Sequence, residues 1–452
     1  MLPIPQGVTF CMNTLEQCGF STYLVGGCVR DCLLGRPPED WDLCTEALPE
    51  EITGCFPQNK TILTGAAHGT VTVLAEGMKV EITTFRVDGE YGDHRRPQEV
   101  SFTRSLEEDL ARRDFTVNAM AYRPGEEVVD LFGGQADLAG RQIRCVGDAA
   151  TRFTEDALRI LRMFRFSAQL GFEIEGDTLA AAGECRSFLS HISGERVSAE
   201  LNKILLSPRA GDCLAAMCEA GVFQCIIPDF APCIGFDQCT SYHNRTVDRH
   251  IFAAVDAAPR LLPVRLALLL HDIAKPRCFV LDSAGAGHFK GHQEMGARMA
   301  REILECLRYD RRTIRLAEQL VRLHHEPIPA EEIPLKRLLS RMGAEHLEML
   351  AEVRIADSTA KDPLRAAPRL EALREGKAAL DSLLRKNPPC TIGSLAVGGD
   401  DIIALGCPQG RRVGEILARL LELVIADDAR NTPEWLLGEA RRLLTGEEEA
   451  PE

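Results

Sequence analysis

The chain has no run of about 20 apolar residues, which excludes an ordinary membrane-spanning helix. Its first twenty residues lack a basic stretch, an apolar core and a small-residue cleavage site. No secretory leader is therefore expected, and the chain is read as cytoplasmic. No CxxC pair occurs among the 17 cysteines. An odd total, scattered through Cys11, Cys28, Cys145, Cys239 and Cys390, argues against a disulfide scaffold and for reduced, mostly buried thiols. There is no fixed-period repeat and no low-complexity tract. A basic surplus is missing too: 52 Lys and Arg against 67 Asp and Glu leave −15. That argues against nucleic-acid binding only as a global sum, because binding answers to local fields. Arginines do cluster, at 95–96, 112–113, 159/162/165 and 308–322.

At 452 residues, 45% apolar and 26% charged, the chain is an ordinary globular one, long enough for several domains. The first third mixes short strand-like runs with tight turns. Residues 70–74 and 80–85 alternate apolar with polar around Glu76 and Gly77, which predicts a hairpin. From about residue 154 the pattern is helical almost to the end. Residues 155–166 (EDALRILRMFRF) carry apolar positions at helical spacing, and 264–270 (VRLALLL) read as a buried helix segment. Turn formers gather at 147–148, 211–248 and 386–399, the expected joints. The final GEEEAPE reads as a solvated acidic tail.

Residues 23–45 (YLVGGCVRDCLLGRPPEDWDLCT) carry the chemistry. A strand feeding Gly26 and Gly27 and then a helix aims backbone N–H groups at one point. Glycine lets that backbone approach an anion such as a triphosphate closely. Arg30, one turn in, adds a charge-assisted donor. Asp40 and Asp42, two apart, share a face if they lie on a strand. Carboxylates so placed repel unless a cation lies between them, and hard oxygen ligands suit Mg²⁺. A metal pair there activates an attacking hydroxyl and stabilises leaving pyrophosphate. Solvated turn residues after Pro37 and Pro38 are the ordinary alternative; the glycine turn upstream decides against it. Glu81 is a third candidate catalytic carboxylate, although strand alternation alone leaves its facing open.

GGxVRDxxLG followed by DxD closely resembles the opening motif of the bacterial-type (class II) CCA-adding tRNA nucleotidyltransferase and poly(A) polymerase family, within the DNA polymerase beta-like superfamily. The resemblance continues in order. Residues 86–102 resemble its flexible loop, 107–121 (EEDLARRDFTVNAMA) its ribose-recognising segment and 130–148 its head–neck hinge. Residues 155–165 resemble its base-recognising helix and 195–205 (ERVSAELNKIL) its next helical motif. The resemblance implies an α+β head with a mixed sheet, followed by all-α neck, body and tail. It also implies template-independent addition of CCA to the 3′ end of tRNA from CTP and ATP, releasing pyrophosphate.

The resemblance assigns base recognition to Asp156 and Arg159, three apart and expected on one helix face. The chemistry agrees, because a carboxylate only accepts hydrogen bonds and a guanidinium only donates them. Cytosine and adenine both offer an amino donor beside a ring acceptor, whereas uracil and guanine offer the reverse. Arg162 and Arg165 extend the basic face towards phosphates. Arg113 is the expected further nucleotide contact, with Arg112 the alternative and Asp114 orienting its neighbour. Residues 90–93 (EYGD) suit a mobile lever that resets the pocket between C and A.

His250, His271-Asp272, His292, His324-His325 and Asp357 stand in an order similar to the HD phosphohydrolase family. Its sites use H…HD…D, with two further histidines when a second metal is held. The implied ligand set is His250, His271, Asp272, His292, His325 and Asp357, with His324 the alternative to His325. Imidazole and carboxylate together suit a transition metal or Mg²⁺; a relic serving as a helical tRNA-binding body is the other reading. The expected domains are a catalytic head (1–147), a helical neck (148–215), an HD-like body (216–365) and a tRNA-binding tail (366–452). No protein partner is expected. Poly(A) polymerase, or an HD-type phosphohydrolase with a degenerate head, are the rival functions.

Overall fold

The structure, a computed structural model, describes residues 2–88, 100–240 and 245–445. The loop at 90–93, Arg95, Arg96 and the acidic tail lie outside the described residues. The chain divides into two compact units, Met1–Ala231 with Glu305–Tyr309, and Pro232–Leu304 with Asp310–Glu452.

The first unit opens with α1 (Gln6–Gln17), β1 (Thr22–Val25), α2 (Gly27–Leu33), β2 (Asp42–Thr45) and α3 (Pro49–Cys55). There follow β3 (Thr61–Ile62), β4 (Thr70–Ala75), β5 (Met78–Thr84), β6 (Arg86–Asp88), β7 (Val100–Phe102), α4 (Leu106–Ala111), β8 (Met120–Tyr122), β9 (Val129–Asp130) and α5 (Gly134–Gly140). One seven-stranded sheet has the order β3-β4-β5-β2-β1-β8-β9. Within this sheet β2 and β5 are the parallel pair, and their register puts Asp42 directly beside Glu81. The predicted hairpin joins β4 and β5, with Glu76 (φ 48°) and Gly77 (φ 77°) both left-handed, the turn whose twist matches the strands.

The unit continues through β10 (Gln142–Ile143), α6 (Ala149–Glu155), α7 (Leu158–Leu170), β11 (Glu173–Ile174), α8 (Gly176–Cys185), α9 (Gly194–Leu205), α10 (Ala210–Glu219) and α11 (Phe223–Ile226). The continuous helix expected over 155–166 is instead two. α6 ends at Glu155, Asp156 is extended (φ −138°, ψ 101°), and α7 starts at Leu158. The reason is local: the Asp156 carboxylate accepts the Leu158 N–H at 3.1 Å, the role of a capping residue rather than a mid-helix one. α7 packs on α9, and its buried Phe166 meets Phe115 edge-on at 5.8 Å.

The second unit contains α12 (Val247–Ala257), α13 (Leu262–Leu270), β12 (Val280–Leu281), β13 (Gly287–His288), α14 (His292–Cys306), α15 (Arg311–Leu323), α16 (Glu332–Met342), α17 (Ala344–Thr359) and α18 (Pro363–Lys386). It ends in α19 (Gly399–Ala404), α20 (Arg411–Ala426) and α21 (Pro433–Thr445), which share a core around Ile402, Leu420, Val424 and Leu436. α13 is buried along 264–270, as its uniformly apolar sequence predicts, and packs on α12, α15 and α17. All 17 cysteines are free thiols. No described helix is long and apolar enough to cross a membrane.

Candidate functional site

The glycine turn forms as expected. Gly26 (φ 79°) leaves β1 in a conformation that L side chains avoid, and its N–H donates to the Met120 carbonyl at 3.3 Å, tying the turn to β8. A Cβ at Gly26 would also lie 3.3 Å from Nη1 of Arg113, so a side chain there would crowd that arginine as well as strain the backbone. Gly27 starts α2, whose first N–H groups have no partner within the helix. A cleft of about 350 Å³ is lined by Gly27, Arg30, Arg36, Asp40 and Asp42. Arg30 is committed within it: Nε and Nη2 pair with Asp31 at 2.9 and 3.0 Å, and Nη1 donates to Asn118 at 2.6 Å.

Asp40 and Asp42 do not both lie on a strand. β2 begins at Asp42, and Asp40 sits exposed in the approach to it. Glu81, whose facing the sequence left open, stands beside Asp42 across the parallel pair. Burial first, then the charges of Glu81 and Asp40, push the Asp42 carboxyl above its ordinary range, while Arg113 pulls it down. Among the described residues the three carboxylates do not form a group with ligating atoms within 4.8 Å, as two histidine groups elsewhere do.

The arginines are sorted by buried acids. Asp109 accepts from Arg112 through Oδ1 (3.0 and 2.8 Å) and from Arg113 through Oδ2 (3.0 Å). Burial alone would raise its carboxyl, but Arg113 and Arg112 hold it below the ordinary range. Arg113, beside Gly26 and Asp42, faces the carboxylate site; the Arg112 backbone carbonyl instead accepts from Arg159 at 2.9 Å. Asp114 does not orient Arg113, as expected, but Arg162, at 2.7 Å. Against its burial, Arg162 and Asn118 hold the Asp114 carboxyl down at about 2.

Asp156 and Arg159 are not a mutual pair on one face, because the helix breaks between them. Arg159 donates to Glu155 at 2.6 Å, and Asp156 accepts from Arg196 of α9 at 2.8 Å. Nη1 of Arg196 is buried with no hydrogen-bond partner among the described residues. Arg165 turns inward rather than towards a phosphate. Its Nε lies 2.9 Å from Glu200 and its guanidinium 4.2 Å from the Phe166 ring centre.

In the second unit the histidines and aspartates converge. His250 Nε2 lies 3.0 Å from Asp357, and His271 Nε2 lies 3.1 Å from Asp272. Asp272 Oδ1 faces Nε2 of His292 (3.6 Å) and His324 (3.9 Å) and is buried without a hydrogen-bond partner among the described residues. Two sets, His250/His271/Asp272 and His292/His324/His325, each keep their ligating atoms within 4.8 Å. His271, His292 and His324 donate from Nδ1 to the carbonyls of Leu268, Phe289 and Val321 at 2.6, 2.7 and 2.6 Å. Those bonds fix each ring and turn Nε2 inward, the usual support of a metal-ligating histidine. Buried His324 is the nearer to Asp272; His325 is exposed and its Nδ1 meets Gln293 at 2.9 Å. His324 thus lies deeper than His325, and both belong to the same group of histidines. Lys275 and Lys361 pair with Asp272 and Asp357 at 2.7 and 2.6 Å.

Residues 22–144 match the family model of the Poly A polymerase head domain, 171–234 that of the probable RNA and SrmB- binding site of polymerase A, and 250–361 that of the HD domain. The CCA-adding enzyme of Geobacillus sp. (strain WCH70) is 36% identical over 444 residues, covering 96% of this chain and 97% of that protein. This chain belongs to the CCA-adding enzyme family. The family's Geobacillus stearothermophilus member is 35% identical over 442 residues, covering 97% of this chain and 98% of its own. The crystal structure of the Bacillus stearothermophilus CCA-adding enzyme in complex with CTP superposes with a TM-score of 0.72 at 31% identity, over 99% of this chain and 100% of that one.

For a CCA-adding enzyme the unforeseen residues are the supports: Asp31, Asp109, Asn118, Arg196, Lys275 and Lys361. Asp109 and Arg196 lay inside motifs visible in the sequence. Their partners, Arg113 at four residues and Asp156 at forty, became readable only in three dimensions.

Proposed function

We propose that the chain adds C, C and A to the 3′ end of tRNA from CTP and ATP, with Asp40, Asp42 and Glu81 as its catalytic carboxylates. One observation carries this: Asp42, in register with Glu81 and driven above its ordinary range by burial first and then by Glu81 and Asp40, stands beside a glycine turn backed by Arg113. Carboxylates in that state favour a hard divalent cation, and Mg²⁺ fits the all-oxygen donor set. When bound, the metal lowers the barrier by activating the attacking hydroxyl and stabilising the leaving pyrophosphate. The residues themselves position the parts: Gly26 and Gly27 admit the triphosphate to the α2 N-terminus, and Arg113 faces the same space. Asp156, aimed by Arg196, and Arg159, aimed by Glu155, read the base edge as acceptor and donor. We assign 1–147 to the head, 148–215 to the neck, 216–365 to the HD-like body and 366–452 to a tRNA-binding tail. Full-length relatives that add CCA favour this over poly(A) synthesis. Seventeen free thiols accord with the cytoplasm. The test is purified protein with tRNA lacking its 3′ end and each NTP separately. CTP and then ATP are incorporated; a long A tract, or equal use of UTP and GTP, refutes the assignment.

A second reading concerns the HD cluster, where the buried, unpartnered Oδ1 of Asp272 faces inward-turned imidazoles. We propose that His250, His271, Asp272, His292, His324 and Asp357 hold a transition metal or Mg²⁺, with His325 at the rim. Asp272→Ala removes bound metal measured by elemental analysis; identical metal content in wild type and variant refutes it.

A further inference from the structure

The HD cluster opens into a cavity of about 730 Å³, a volume suited to a nucleotide-sized ligand. Its walls reverse the sign of an otherwise acidic chain. Lys275 and Lys361 are spent on Asp272 and Asp357, whereas Lys290, Arg365 and Arg369 line the cavity with no carboxylate partner among the described residues. Arg365 and Arg369 stand one turn apart on α18, about 6 Å along its axis.

A second observation points the same way. Arg354 on the adjoining α17 is 4% exposed, and its Nε and Nη1 have no hydrogen-bond partner among the described residues. Burial first, and then the neighbouring charge of Arg369, lower its guanidinium to about 10 against the opposing pull of Asp357 and Glu326. Two guanidiniums close enough to repel, with donors unspent, are stabilised by an anion between or above them. The aromatic ring of Phe289 lines the same cavity and offers a face for a base.

We propose that this cavity binds a nucleotide carrying two phosphate groups, one received at the His–Asp cluster and the other by Arg365 and Arg369. A single phosphate at the cluster would leave Arg365 and Arg369 on the cavity wall without an acidic partner among the described residues. The first contact rests on the metal reading above; the second does not, since neither arginine is a candidate ligand.

The test compares adenosine 3′,5′-bisphosphate with AMP by calorimetry on full-length protein, before and after Arg365→Gln/Arg369→Gln. The head also takes nucleotides, so the difference between wild type and variant is what is read. Wild type is expected to bind the bisphosphate at least tenfold more tightly than AMP. The variant should bring the two within twofold, with AMP affinity, metal content and Tm unchanged. If the double variant unfolds, Arg365→Gln alone, at an exposed position, should reduce the preference at least threefold. Equal affinity for the two ligands in wild type, or a preference that survives substitution, overturns the proposal. A dinucleotide ending in a 3′-phosphate separates the sources: affinity matching the bisphosphate identifies an RNA end, weaker affinity a free nucleotide. Wild-type protein stripped of metal is expected to keep the preference while binding both ligands more weakly; unchanged affinity for both would defeat the metal reading and leave the arginine subsite standing.

Discussion

Asp42 and Asp272 each sit at the centre of a candidate metal site, yet their surroundings treat them oppositely. At Asp42, burial adds to the repulsion of Glu81 and Asp40, so the carboxylate is held in an unfavourable state. At Asp272 the burial penalty is overridden by His271 and Lys275, and the carboxyl lies well below its ordinary range. At the carboxylate site like charges repel, with Arg113 the opposing cation. An imidazole–lysine site is already neutralised, and its rings are locked by carbonyls before any ligand arrives. The first arrangement suits ions that come and go with each nucleotide; the second suits a resident ion.

The sharpest way to break that contrast is Asp42→Ala. Nucleotide addition should fall by about a thousandfold or more, since several kcal/mol of metal electrostatics are lost. Stability should move the other way. A carboxyl whose folded pKa is raised favours folding at low pH and opposes it once the pH passes the folded value. Removing Asp42 should therefore leave Tm in chelator unchanged or higher at neutral pH; a clear drop in Tm would show that the site is not strained. Asp109→Ala is the counter-experiment, for that acid is lowered by Arg113 and Arg112. It leaves two guanidiniums without their buried counter-charge and should cost about 3–5 kcal/mol in urea unfolding, with addition reduced through a loosened Arg113.

A smaller effect is expected at the base edge. Asp156→Ala should cut discrimination of C and A against U and G by about 1–3 kcal/mol, read from incorporation ratios of the four NTPs. Arg196→Ala should give a weaker version of the same change; unaltered ratios in both variants would remove these residues from base selection. The least effect is that of Asp114→Asn. Its carboxyl is held at about 2 against an unfolded value near 3.8, so it contributes about 2 kcal/mol. That contribution is present above pH about 4 and lost as the pH falls towards 2. An acid-unfolding midpoint identical to wild type would mean that Arg162 is not its partner in solution.

Much of this molecule was readable before any coordinates. The β4–β5 hairpin, the glycine turn before α2 and the buried α13 all follow from short-range pattern, and each formed as expected. Where the pattern misled or left a choice open, the cause is shared. Helical spacing put Asp156 and Arg159 on one face, but a carboxylate that caps the next turn ends the helix there. Alternation left Glu81 undecided, because facing depends on which strand lies alongside. His324 and His325 both stand in one histidine group just past α15, and only packing says which lies deeper.

What the sequence by itself determined was the inventory and its order: a phosphate-sized glycine turn, an acid pair, an arginine-rich helix and a His–Asp series, set by residue chemistry and local spacing. What only the tertiary structure decided was pairing. Asp42 meets Glu81 through a parallel strand register, Asp156 meets Arg196 across two helices, and Asp272 meets four histidines from four separate segments. Charge and hydrogen bonding act over a few ångströms of space, and folding rather than sequence separation sets those distances.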